Sequence, residues 1–417
     1  MMINYTENQL EAIAIIESLR SGIPTMRSTR NLPDLRPELM KLVEKDLNSL
    51  KNKSIVKGRI IWGPYGDGKS HLLTSIEHKA LSLNMAVSKI SLSRNVTCNN
   101  FSKLYYYLAS RVRTPDSVIM GIQRYLNQKK REEFSDSQIA KPNRYSHPFF
   151  SYIFEDYLAA SGEEQEIIYN FLVGGRPFLN ELKKIHKSIH KVPMEKFERN
   201  FSFKEDSNSF FDYFSDILTF LGFDGWIILI DELELVSRLS KNARLDTYLN
   251  LNKLLNWSDD LNCPIYVICA AAQSLQSDLW FSSHLKRNDK DLMPDLAKEK
   301  YKKEAVNIIN NFFNFAIDKE ICPIIKPVEL NVLLELLLKI KDIYERAFNK
   351  SFYFDMKEFI GNFPSDTTIR TYIRALIEKL DILRVHDTDV EVRAGSISGY
   401  SINEDAEYFS EEDLNDI

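Results

Sequence analysis

Residues 63–70 read Gly63-Pro64-Tyr65-Gly66-Asp67-Gly68-Lys69-Ser70, a complete G-x-x-x-x-G-K-S run. That spacing suits one chemistry, the cradling of phosphate. Glycines let consecutive backbone N–H groups turn inward around an anion, and a following helix offers its positive end to the same charge. Lys69 is placed to reach the β- and γ-phosphates, and the Ser70 hydroxyl to ligate Mg²⁺. His71 opens the helical run behind them. The alternative, a glycine-rich turn with a surface lysine, loses ground once a second motif is read with the first. Together they predict a chain that binds ATP or GTP.

The second motif is Gly225-Trp226-Ile227-Ile228-Leu229-Ile230-Asp231-Glu232. Five bulky apolar residues in a row fit a strand buried on both faces of a parallel sheet. The acid at its end lies where ligands collect in open α/β sheets. Asp231 would hold the Mg²⁺ shell, and Glu232 would orient and deprotonate the attacking water. The competing reading is an N-cap and first-turn acid of the next helix. A further apolar run, Pro264 to Ala270, ends in Ala271-Ala272-Gln273-Ser274, where Gln273 is the candidate sensor of the water or γ-phosphate. An ordinary strand-end turn is its alternative.

These residues need strands and helices to hold them. Gly58 to Trp62 is short, apolar and β-prone, and His71 to His78 has helical spacing, the strand–loop–helix context the first motif requires. A helix over 6–21 is expected after a Thr6 cap, with Leu10, Ile13, Ile16 and Leu19 on one stripe. A basic stretch (Arg27, Arg30, Arg36) and a helix at about 37–50 follow. The spacing next predicts a strand over 85–92 and a helix over 100–113 with Leu104, Tyr107 and Leu108 inward. Residues 114–205 read as a large helical insertion; its basic clusters alternate with Phe and Tyr, as a solvated helix face or a single-strand nucleic-acid surface. Helices over 208–221 and 245–257 and an almost wholly helical stretch over 296–384 complete the pattern. The expected architecture is α/β: a nucleotide-binding core over 51–295 with a parallel sheet and helices on both faces. A helical segment over 1–50 precedes it, a helical lid over 296–392 follows, and an acidic tail over 393–417 ends the chain.

Bulk properties add bounds. The 417 residues are 44% hydrophobic, ample for a core, and the net charge of −5 does not suit a protein that coats DNA. The four cysteines are widely spaced with no C-x-x-C, which fits a reduced setting and packing roles. No secretory signal or apolar run near a membrane span is evident, so a soluble, cytoplasmic protein is expected.

Motif order (phosphate loop, Asp-Glu strand, polar strand end, helical lid) resembles AAA+ ATPases of the origin-recognition type. The segments Ala14 to Pro24, Trp62 to Leu73 and Ile230-Asp231-Glu232-Leu233-Glu234 look like the BrxD family of P-loop ATP-binding proteins, encoded with BREX-type phage-defence genes. The resemblance runs over about 10–385. It implies an AAA+-like ATPase of anti-phage defence, a nucleotide-driven switch or assembly factor with ATP and Mg²⁺ as ligands. By carry-over Lys69 and Ser70 serve phosphate and Mg²⁺, Asp231 and Glu232 hydrolysis, and Arg370, near the start of a lid helix, a sensor arginine. Arg370 stands after Ile369 where the family tends to have proline, and could instead pair with Asp366 or Glu378. Implied partners are a second copy of the chain, a helicase-like or DNA-modifying protein, and DNA. Arg238, Arg244 and Arg287 are the arginines that could act in trans on a neighbouring subunit. A DNA-stimulated motor or loader and a non-hydrolysing ATP-bound scaffold are the alternative functions.

Overall fold

The computed structural model describes residues 6–22, 24–115, 119–256, 263–282 and 288–386. The acidic tail and Arg287 lie outside them. Five strands form one sheet: β1 (Arg59–Gly63), β2 (Ala86–Ser91), β3 (Val112–Arg113), β4 (Trp226–Asp231) and β5 (Ile265–Ala272), in the order β1-β5-β4-β2-β3. β2 pairs with β4, and β4 with β5, in parallel, Ile228 lying opposite both Ser88 and Val267. The sheet is not parallel throughout. The two-residue β3 runs antiparallel along β2, with Ser88 opposite Val112. Every residue of β4 and β5 is buried, as continuous apolar runs require when both faces are covered. The one fully buried polar residue of β2, Ser88, is satisfied: its hydroxyl donates to Leu108 O at 2.8 Å and accepts from Trp226 Nε1 at 2.9 Å.

The chain divides into two compact units, one of residues 1–41, 62–78 and 324–417, the other of 42–61 and 79–323. The second holds most of the sheet, the 114–205 insertion and the helices Asp289–Tyr301 and Lys303–Ile317. In the insertion the helices Phe149–Ala159, Gly162–Leu172 and Leu179–His190 close around an aromatic core. Phe149, Phe150, Phe171, Phe210 and Tyr213 are all essentially inaccessible. Lys129 pairs with Glu133 and Arg131 with Glu155. Those aromatic rings are therefore core, and these cations face acids, which favours the solvated-face reading over a base-stacking surface. In the helix Phe101–Ala109 the buried tyrosine is Tyr105, not Tyr107: its hydroxyl reaches Leu172 O, which turns the helix toward the insertion.

The first unit joins the segment 62–78 to the helices Glu7–Ser21, Leu330–Phe348, Met356–Gly361 and Ile369–His386. Ile15, Ile16, Leu337, Ile340, Tyr344, Leu376 and Leu380 share one apolar core. Leu10 is 54% exposed, so the buried stripe of the first helix is rotated toward Ala12, Ile15 and Ile16. Thr6 caps that helix in a full capping box with Gln9, as the sequence led one to expect. The basic stretch is a short helix, Met26–Asn31, rather than a loop, and Arg30 Nε lies 3.2 Å from His78 Nδ1.

Candidate functional site

The 63–70 loop leaves β1 and enters the helix Lys69–Ser82. Gly66 (φ 84°) and Gly68 (φ 85°) are both left-handed, a conformation that L side chains resist, so the glycines of the motif are there for the backbone path. Lys69 is 7% exposed, and its ammonium donates to the carbonyls of Gly63 (3.2 Å) and Pro64 (2.8 Å). Those bonds fold the lysine over the loop that a phosphate would enter, and among the described residues no salt bridge holds it. The helix is closed behind it by Leu72 N–H donating to Gly68 O at 2.9 Å and Thr74 Oγ1 donating to Ser70 O at 2.9 Å. Tyr65 projects from the loop, 41% exposed, and His71 sits half-buried in the first helical turn.

The helix Ile369–His386 begins at this loop. Arg370 N–H donates to Gly66 O at 3.1 Å, and the Arg370 guanidinium lies 4.8 Å from the Tyr65 ring centroid, a cation–π geometry. A Cβ added to Gly66 would meet Thr368 Oγ1 at 2.9 Å. Arg370 thus contacts the phosphate loop through both backbone and side chain, an arrangement distinct from the Asp366 or Glu378 pairing. A third cation, Arg36, was read from sequence only as part of a basic stretch. Its Nη2 donates to Asp67 O at 3.4 Å and its Nη1 to Leu35 O at 2.9 Å, while its buried Nε has no hydrogen-bond partner. Desolvation by burial pushes this guanidinium below its ordinary pKa, against the pull of Asp67 and Asp34, but an arginine remains charged. Lys69, Arg36 and Arg370 all touch one loop, and only Lys69 was marked by a motif. Two turning glycines, a helix N-terminus and three cations suit a polyphosphate and its Mg²⁺, with Ser70 in the first helical turn as the hydroxyl donor set requires.

In the other unit β4 ends on Asp231, 4% exposed, whose Oδ1 accepts from Glu232 N–H at 2.9 Å. Glu232 itself is left-handed (φ 60°, ψ 39°). A non-glycine residue there costs about 1–2 kcal/mol, and such strain clusters at working sites. Of the cap reading, Glu232 occupies the N-cap position of a 3₁₀ turn (Leu233–Arg238) without a side-chain cap bond, while the Asp231 carboxylate does accept a backbone N–H there. Glu234 has a structural task, accepting from Ala272 N–H at 2.9 Å and so tying the ends of β4 and β5 together. Gln273 follows β5 half-buried, and its carbonyl accepts from the N–H groups of Gln276 and Ser277 as a short π-helical turn begins. Arg244 is committed elsewhere, as a buried bidentate partner of Asp289 (2.8 and 2.9 Å) that also donates to Leu239 O. Arg238 is exposed at the end of the 3₁₀ turn.

Residues 8–141 match the family described as BREX system ATP-binding protein BrxC/D. Over that stretch the chain is similar to this family. The match contains the whole phosphate loop and Arg36, so the resemblance to an ATP-binding family of BREX phage-defence systems holds where the phosphate-binding geometry lies. It ends before Asp231, Gln273 and Arg370. No curated protein and no solved structure matches the chain. Among the described residues no helix is long and apolar enough to cross a membrane.

Proposed function

We propose that the chain binds ATP with Mg²⁺ on the 63–70 loop and hydrolyses it. In this reading it is an AAA+-like switch or assembly factor of anti-phage defence. The observation that carries the reading is the loop itself. A buried lysine lies folded onto its carbonyls, and the helix Ile369–His386 begins against the same loop through Arg370. The bound cation would neutralise the developing phosphate charge. Lys69, Arg36 and Arg370 bind and orient the phosphates, and the Ser70 hydroxyl and Asp231 carboxylate hold the Mg²⁺ shell. Glu232 takes the proton of the attacking water, its strained backbone fixing the carboxylate's direction, and Gln273 orients that water. When the γ-phosphate leaves, the contacts biasing Arg370 and its helix change, and the lid's population shifts. A partner would read that shift: a second copy of the chain reached through Arg238, a helicase-like or DNA-modifying protein, or DNA. The core over 51–295 and the lid over 296–392 are the domains this division of labour implies.

The test is steady-state ATP hydrolysis, with and without DNA, beside nucleotide-binding measurements on two variants. Lys69→Ala should lose ATP binding. Glu232→Gln should bind as before and turn over about 10²–10⁴-fold more slowly, the usual worth of a general base. Unchanged turnover in Glu232→Gln would remove it from the mechanism. A many-fold rise with DNA, weakening steeply with salt, would make the protein a DNA-engaging motor instead.

A further inference from the structure

Away from the nucleotide motifs, three side chains in the helical insertion converge on one point. Asp156 comes from the helix Phe149–Ala159, and His186 and His190 from Leu179–His190. A separation of four residues sets both histidines on one helix face, the spacing that lets a helical pair grip one ion. His186 Nδ1 lies 2.9 and 3.0 Å from the two Asp156 oxygens, and His190 Nε2 lies 2.8 Å from Oδ1. One ligand atom from each residue falls within 4.8 Å of the others. The site is built into the core: Asp156 is 0% and His186 4% exposed.

Charge makes the cluster unusual. A buried carboxylate needs a compensating cation, which a protonated imidazole or a bound metal ion can supply. Arg131 reaches the far side of His190 (Nη2 to Nδ1, 3.3 Å) and is paired with Glu155 at 2.6 Å. Because Arg131 can only donate, His190 Nδ1 accepts, and its proton sits on Nε2 facing Asp156. Two imidazole nitrogens and one carboxylate oxygen are a donor set for zinc-class divalent ions, and three protein ligands leave a place for water. Zinc–nitrogen bonds of about 2.0–2.1 Å put tetrahedral ligand atoms about 3.3 Å apart, a small opening of the present spacing.

We propose that Asp156, His186 and His190 form a binding site for a divalent transition-metal ion of the zinc class. The ion takes His186 Nδ1, His190 Nε2 and an Asp156 oxygen. The displaced imidazole protons move to His186 Nε2 and His190 Nδ1, and Arg131 turns wholly to Glu155. The ion cross-links the two helices and is independent of the ATP-bound Mg²⁺, whose oxygen ligands lie on other residues.

The test uses the full chain, stripped with chelator and kept nucleotide-free. Co²⁺ is the spectroscopic probe, and bound zinc is counted by elemental analysis after Zn²⁺ addition and gel filtration. The expected result is one zinc per chain, a Co²⁺ visible band of four- or five-coordinate strength, and a raised Tm with Zn²⁺. His190→Gln, partly exposed and mild, should weaken zinc binding at least tenfold with an unchanged far-ultraviolet CD spectrum. Lys69→Ala should leave it intact. No zinc above that retained by the double variant His186→Gln/His190→Gln, or equal binding by His190→Gln and the parent chain, overturns the proposal. In that event the cluster is a metal-free hydrogen-bonded triad.

Discussion

At the scale of single residues, motif and geometry part company around the phosphate loop. Lys69 was legible because its partners stand within a few positions of it, and local spacing is what a sequence displays. Arg36 was not: its contact with Asp67 O joins distant segments, and nothing in a basic stretch says which arginine turns inward. Its buried, unsatisfied Nε beside the loop predicts a contribution to phosphate binding. Arg36→Ala should raise the Kd for ATP about tenfold, equivalent to about 1.4 kcal/mol, by isothermal titration. Arg30→Ala, whose guanidinium faces His78 instead, should leave that Kd unchanged. Glu232 shows the opposite limit. Its place after an apolar strand was readable, but a left-handed glutamate was not, since local propensity argues against it.

At the scale of elements, burial rather than periodicity sets which face of a helix turns inward. The first helix was placed and capped correctly from sequence. Of its stripe, Ile13, Ile16 and Leu19 do face the core but Leu10 does not, and Ala12 and Ile15 join them because the helix packs on both Leu330–Phe348 and Ile369–His386. The capping box gives a clean prediction: Thr6→Ala should cost about 1 kcal/mol, read as a shift in the urea midpoint. The insertion offers a pH dependence. Asp206 loses hydration on burial, which raises its pKa. Bonds from Arg199, Ser146 and Ser202 N–H outweigh that and hold the carboxyl below its ordinary value. A depressed folded-state pKa means a stabilisation fully present above the unfolded value of about 3.9 and lost as pH falls through the folded one. Asp206→Asn should therefore destabilise the insertion at pH 7 and lose much of that difference in strong acid, as followed by near-ultraviolet CD.

At the scale of the whole molecule, the apolar strands, the strand–loop–helix at 63–70 and the helical character of the late part of the chain were legible because each announces itself locally. The grouping of the loop's segment with the late helices and the first helix was not, since two early pieces and one late piece of the chain combine in one unit. ATP should stabilise that unit by mass action, about 2.7 kcal/mol at a hundredfold excess over Kd. Gly66→Ala, which combines a strained φ with a 2.9 Å approach to Thr368 Oγ1, should abolish much of the ATP-dependent rise in Tm.

The hydrogen bond from Arg370 N–H to Gly66 O also has a meaning in time. A ribosome adding about 5–20 residues per second finishes the loop tens of seconds before it makes the segment that meets it. Through that interval the nascent chain carries the glycines and the lysine without the helix start that completes their setting. A message cut short before Thr368 would yield a product bearing the full motif but missing its late-made partner. Synthesis of the segment around Arg370, rather than the appearance of the motif, is then the moment at which the loop gains this contact.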